Sequence, residues 1–99
     1  MKGSDMAGTD LLAHHDGDAV AVAVKDLDRG SSSVGYLDES PSATIEVREQ
    51  IPLGHKVALQ DLASGAEVVE YGTIIGRATR DIRTGEHVHV HNVKGERWA

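Results

Sequence analysis

Apolar and polar residues alternate in short bursts along this chain, and each burst is bounded by Gly or Asp. From Asp18 the run DAVAVAVKDL sets Val20, Val22 and Val24 on one face of an extended strand and Ala21 and Ala23 on the other, because successive side chains of a strand point to opposite faces. ATIEVRE alternates through Ile45 and Val47, and HKVAL, AEVVEYG, TIIGRAT and EHVHVHN follow as further short, β-rich segments. DRGSSSVG reads as a loop, and VREQIPLG ends in a turn at Pro52 and Gly54. The pattern predicts an all-β domain of short, strongly bent strands, with one or two brief helical turns, the first at Asp61 to Ser64. Residues 1–10 mix Gly, Ser, Asp and Thr and read as a flexible lead; residues 11–99 form the domain.

A phrase recurs between these strands. VAVKDLDRG, VALQDLASG and RATRDIRTG each follow a strand with Asp, an aliphatic residue, two variable residues and Gly. Asp26, Asp61 and Asp81 are expected to cap N–H groups of their own turns. Gly30, Gly65 and Gly85 would take the left-handed conformation that returns the chain to an extended path, and Leu27, Leu62 and Ile82 would tuck each turn onto the core. The intervals between copies are unequal, so this is a recurring turn and not a solenoid repeat.

The last burst, GEHVHVHNVKGERWA, holds His87, His89 and His91, half of the chain's 6 histidines. On a strand these three share one face and leave Val88 and Val90 to the core. The plain alternative is a solvated histidine face. Neutral imidazole is a good metal ligand, but same-face neighbours stand nearly ~7 Å apart at Cα, so two can converge on one ion and a third ligand must come from another strand.

Composition narrows the rest. With 99 residues, no Phe, 1 Trp and 2 Tyr, the core must be aliphatic and thin. The net charge of −6 without basic clusters argues against nucleic acid. The absence of cysteine suits the reducing cytoplasm. No run approaches the ~20 apolar residues of a membrane span, and the N-terminus lacks the apolar centre of a signal peptide. The expected location is the cytoplasm, with no membrane partner.

Strand, D-[LI]-x-x-G, then extended chain resembles the SAF domain, a β-clip fold. HHDGDAVAVAV, IPLGHKVALQDLASGAEVVEYGTIIGRATRDI and TGEHVHVHN, in that order, look like the small N-terminal domain of the altronate and galactarate dehydratase family, which also occurs as a separate small subunit in sulfolactate sulfo-lyase. The resemblance runs from about Leu11 to Trp98. It implies the small subunit of a sugar-acid hydro-lyase, inactive alone, whose large subunit carries most of the catalytic machinery and whose chemistry uses a divalent metal, Fe2+ or Mn2+. The second reading is the sulfolactate sulfo-lyase small subunit, with sulfite as the leaving group. A third is a module that binds a sugar acid or metal without reaction. Self-association stays open.

The resemblance also nominates residues. His15 and Asp18 match the family's N-terminal His-x-x-Asp pattern; with His89, chosen by symmetry as the middle of the three strand histidines and not by the resemblance, they make the expected metal set. His87, His91 and Lys56 are the expected substrate-binding groups, the alternative for Lys56 being an ordinary solvated lysine. His14 receives no role. His55 reads as a turn histidine bonded to backbone, and Tyr71 as a core residue with a tethered hydroxyl. Lys94, Arg97 and Trp98 form an expected docking tail, since Trp and Arg are favoured at interfaces; the alternative is a Trp folded back on its own domain.

Overall fold

The structure, a computed structural model, describes residues 8–95. Nine strands follow one another: β1 (Leu11–Ala13), β2 (Val20–Ala23), β3 (Gly30–Tyr36), β4 (Ala43–Val47), β5 (Lys56–Ala58), β6 (Glu67–Glu70), β7 (Thr73–Ala78), β8 (His87–Val88) and β9 (Val93–Gly95). Six form one sheet in the order β4-β3-β1-β2-β5-β8, and three form a second in the order β6-β7-β9. Among the described residues only β1 and β3 pair in parallel; every other neighbour is antiparallel. The all-β expectation holds. No α-helix forms among the described residues.

β2 and β5 form a wall between two small cores, which explains why so thin a chain can bury so many residues. Ala21, Ala23 and Val57 face one core with Leu11, Val34, Val47 and Ile51. Their neighbours Val20 and Ala58 face the other, with Leu62, Val68, Ile82 and Val88. Alternation along a strand buried on both sides assigns successive residues to different cores. The valine face of β2 loses its burial along its length: Val20 is fully buried, whereas Val24 has already left the strand and is exposed.

Four turns of one kind close these cores, working in pairs. Leu27 and Ile51 exchange backbone hydrogen bonds of 2.8 and 2.9 Å, and Leu62 and Ile82 exchange two of 2.7 Å. The aspartates act across each pair instead of capping their own turns. Asp61 Oδ1 accepts from Thr84 N at 2.8 Å, Asp81 Oδ1 accepts from Ser64 N at 2.9 Å, and Asp26 Oδ1 accepts from Leu53 N at 2.8 Å. The fourth turn, QIPLG at Gln50–Gly54, escapes the sequence phrase because Gln50 stands where the others have Asp. Its Gly54 has φ 88, beside 88 at Gly65 and 91 at Gly85.

Three expectations are corrected here. DRGSSSVG is not a loop: Gly30–Tyr36 form β3, paired with β4 on one side and β1 on the other. Asp61 to Ser64 is not a helical turn, because Leu62 is held extended by Ile82 and the chain turns only at Ser64 and Gly65. Tyr71 is not in the core: it is 63% exposed at the β6–β7 tip, with φ 58 beside Gly72 at φ 71. A two-residue hairpin with both φ values positive matches the twist of its strands, and its first side chain projects outward. Thr9 is buried, and Asp10 is tied to Ser33 and Lys25. Residues 1–7 of the expected lead, and Arg97 and Trp98 of the tail, lie outside the described residues.

Candidate functional site

β5 and β8 bring three histidines together. Their antiparallel register pairs Lys56 with Val88 and Val57 with His87, so one step further sets His55 opposite His89, on the face that carries His87. Nδ1 of His55 lies 2.8 Å from Nε2 of His87. The His55 and His89 rings stack at 4.6 Å between centroids, and those of His87 and His89 at 5.5 Å. One ring nitrogen from each of the three falls within 4.8 Å of the others. His91 stands at the edge, its ring 5.3 Å from that of His87.

The histidines are not the continuous strand face that the alternation predicts. β8 ends at Val88, and the chain turns at once: Asn92 N and Val93 N both donate to the carbonyl of His89. Asn92, only 2% exposed, holds that turn from inside. Its Oδ1 accepts from His89 N at 2.9 Å and its Nδ2 donates to the carbonyl of His87 at 2.7 Å. Val90 is therefore 71% exposed and not a core residue. The bend achieves what a flat strand could not, bringing His89 and His91 round towards His87.

The electrostatics favour a neutral ring at His87. Burial holds the His87 pKa below the usual imidazole range, and the nearby His55 and His91 add to this. Glu49 opposes the shift; its Oε2 accepts from His87 N at 2.9 Å. In the His55–His87 contact one ring donates and the other accepts, so at most one of the two carries a charge. Neutral imidazole is the form that ligates metal. Three nitrogens each about 2.1 Å from one ion stand about 3.4 Å apart in tetrahedral geometry, so ligation needs the rings, now within 4.8 Å of one another, to draw in and the 2.8 Å His55–His87 contact to open. The residues present fit a divalent ion that prefers nitrogen.

The expected metal set is divided between two clusters. His89 joins His55 and His87, whereas His15 and Asp18 lie in the β1–β2 loop beside the β6–β7 tip. Asp18 is 4% exposed, and its Oδ2 accepts from both His15 N at 3.2 Å and Tyr71 N at 3.0 Å. This carboxylate therefore staples two turns together. The ring of His15 stacks on Tyr71 at 5.4 Å and 7°, and that of His14 packs on it at 4.3 Å. Desolvation, helped by Asp16, Asp38 and Asp18, raises the pKa of the nearby Tyr36. Hydrogen bonds from Ser40 and Asp16 bring Asp38 down to about 2. His55 is not bonded through its ring to backbone, as the sequence reading expects; its ring meets His87.

Between the two sheets runs an open cleft of about 310 Å³ with apolar walls that include Ile75, Val88 and Val93. Lys56, Glu70 and His89 line it with polar groups. Lys56 reaches it because it sits opposite Val88, on the face of β5 turned away from Val57. The histidine cluster thus borders the cleft through His89. Glu70 and His55 are the site residues that sequence reasoning misses. The signal for His55 was the pairing of GHKVAL with EHVHV, which the separate strands do not reveal until they are aligned. Lys94 is exposed on β9 opposite Arg77.

Comparison with known proteins agrees with this architecture. Residues 9–96 match the family described as the altronate/galactarate dehydratase SAF domain. The chain is 44% identical over 91 residues to (2R)-sulfolactate sulfo-lyase subunit alpha of Chromohalobacter salexigens, covering 90% of this chain and 97% of that one. It is 41% identical over 80 residues to altronate dehydratase of Bacillus subtilis and 43% over 77 residues to that of Escherichia coli. These alignments cover 81% and 78% of this chain but only 15% and 14% of those enzymes.

Proposed function

The chain belongs to the altronate/galactarate dehydratase SAF-domain family, and from that membership we propose that it is the small component of a lyase that eliminates a group from a hydroxy acid. Its relatives carry lyase and dehydratase names. In this reading a second, larger polypeptide supplies the rest of the active site, and the small chain alone is inactive. The leading substrate is a sugar acid of the altronate or galactarate type that loses water. The observation that carries the reading is the convergence of His55, His87 and His89 at the rim of a cleft.

Such an elimination removes the weakly acidic proton beside a carboxylate, so negative charge develops on the substrate and must be stabilised. A divalent metal, when bound, would supply that stabilisation as a Lewis acid. His55, His87 and His89 would hold it. Their donor set is three imidazoles with no carboxylate, which suits Fe2+ better than Mn2+. Asn92 and Glu49 fix the backbone of His87 and His89, Lys56 attracts the substrate carboxylate, and His91 flanks the cluster. His15, stacked on Tyr71, lies in the second cluster as a group for the assembled site. Lys94, Arg97 and Trp98 serve docking of the larger chain, and the complex works in the cytoplasm.

A second reading is favoured by one specific observation. The match to the sulfo-lyase subunit alpha runs along 97% of that chain, which supports sulfite as the leaving group; the proton abstraction would be the same. The test is to combine the chain with the large lyase chain and assay altronate, galactarate and (2R)-sulfolactate. Turnover of one acid only in the presence of both chains is expected. Absence of a complex together with absence of turnover on all three acids would overturn the proposal.

A further inference from the structure

Lys56 and Glu70 are both half-buried and line one cleft, yet neither forms an ion pair or a side-chain hydrogen bond among the described residues. Opposite charges that share a partly desolvated space ordinarily pair, because their attraction strengthens as water is excluded. Held apart on β5 and β6, they present a cation and an acceptor to whatever lies between them. The apolar walls at Ile75, Val88 and Val93 and the imidazole of His89 complete a small-molecule cleft of the usual kind, mostly apolar with a few convergent polar groups.

We propose that this cleft selects a monoanionic polyhydroxy acid, with Lys56 anchoring the carboxylate and Glu70 accepting hydrogen bonds from the hydroxyl groups. The inference rests on the hydroxy-acid lyase reading and narrows its substrate class. A ligand with one negative end and several hydroxyls satisfies both side chains. A dianion does not: its first charge meets Lys56, and its second stands against the Glu70 carboxylate. Rejection by an unmatched charge is a stronger discriminator than a shortened contact. Glu70 is thereby a specificity-determining residue, and within the proposed substrates it favours the altronate type over galactarate, which carries a second carboxylate, and over acids that carry a sulfonate.

The test is binding to the full chain, read by amide chemical shifts at Lys56, Glu70 and His89 during titration with D-altronate, with (2R)-sulfolactate and with propionate. Altronate is expected to shift these residues and saturate, and sulfolactate to bind at least about tenfold more weakly, as loss of a hydrogen bond to a charged group implies. Lys56→Met should weaken altronate by a similar factor. Glu70→Gln should weaken altronate and tighten sulfolactate, closing the gap, while leaving propionate unchanged; a retained amide spectrum checks that both variants fold. Equal or tighter binding of sulfolactate to the parent chain, an unchanged ratio in Glu70→Gln, or no response in the cleft would each overturn the inference. These readouts need no turnover, so they can fail while the lyase reading stands. That reading fails separately, if the assembled enzyme turns over none of the acids.

Discussion

His55 Nδ1 and His87 Nε2 sit 2.8 Å apart, one on the residue before β5 and the other at the start of β8. The contact is too short for an ion to fit between the two nitrogens, so metal capture must open it and replace a hydrogen bond with two metal–nitrogen bonds. In the proposed metal site His55 is a ligand, and its loss should cost more than the roughly 10- to 100-fold in affinity that follows removal of a merely supporting contact. His55→Ala should abolish the visible absorption of bound Co2+ at concentrations that saturate the parent. His15→Ala should leave it unchanged, since His15 stacks on Tyr71. The reverse pattern would return the metal to the β1–β2 loop.

Without metal, His87 makes the fold sensitive to acid. The His87 pKa is lowered in the folded chain, chiefly by burial, so the unfolded chain binds a proton more readily. Stability from this residue is fully present above the unfolded imidazole value near ~6.5, and is lost as pH falls through the lower folded value. The thermal midpoint of metal-free protein should therefore drop between pH 7.5 and 5.5, and His87→Gln should flatten that slope. An unchanged slope in His87→Gln would assign the acid sensitivity to other groups.

Two glycines with nearly the same backbone angle should respond very differently to a methyl group. Gly54, at φ 88, has open space around it, whereas a β-carbon on Gly85, at φ 91, would overlap the carbonyl oxygen of Glu46. Gly54→Ala should cost about 1–2 kcal/mol, the left-handed penalty alone. Gly85→Ala adds displacement of the β4 end, where Arg48 N donates to Gly85 O, and should cost on the order of 3 kcal/mol or more. Urea midpoints of the two variants compare them directly, and equal losses would mean that the β4 end yields freely.

The paired turns show how much of this was legible in the sequence. Alternation located β2 and β4 to β8. β1 and β9 went unread, and β3 reads as a loop because its serine-rich run GSSSVGY carries no apolar alternation. The D-[LI]-x-x-G phrase marked three turns. What it could not show was the partner of each turn. Asp61 and Thr84 are 23 positions apart, and nothing local distinguishes a carboxylate that caps its own turn from one that reaches another. The histidine cluster has the same limit. His87, His89 and His91 were conspicuous by spacing, but His55 enters only through the β5–β8 register, and the bend after Val88 depends on one buried amide, Asn92. Glu70 carried no sequence signal; it matters because β6 turns it into the same cleft as Lys56.

That amide makes its own prediction. Asn92 bonds the backbone on both sides of Val88, donating to His87 O and accepting from His89 N. Asn92→Ala leaves the partly buried His87 carbonyl and His89 N–H without these partners, which should cost about 1–3 kcal/mol. It should also loosen His89 and weaken Co2+ binding, whereas an equally destabilising core change such as Val68→Ala, distant in sequence and contributing no metal-site hydrogen bond, should leave Co2+ affinity intact. If the two variants lose affinity alike, Asn92 acts through general stability and does not position the ring.

Tyr71 poses the opposite case, a residue whose backbone opposes its position. At φ 58 a tyrosine bears roughly 1–2 kcal/mol of left-handed strain that asparagine largely escapes. Its ring contacts with His14 and His15 are at the surface, where such pairs contribute only about 0.5–1.5 kcal/mol. Its N–H bond to Asp18 does not depend on the side chain. Tyr71→Asn should therefore leave the urea midpoint unchanged or slightly higher, even though it removes a large aromatic residue. Strain kept where a freer residue would serve points to a role for the phenol itself, so the same variant should lower turnover of the assembled lyase. A fall in the midpoint with turnover intact would make the ring a structural clasp between the β1–β2 loop and the β6–β7 tip.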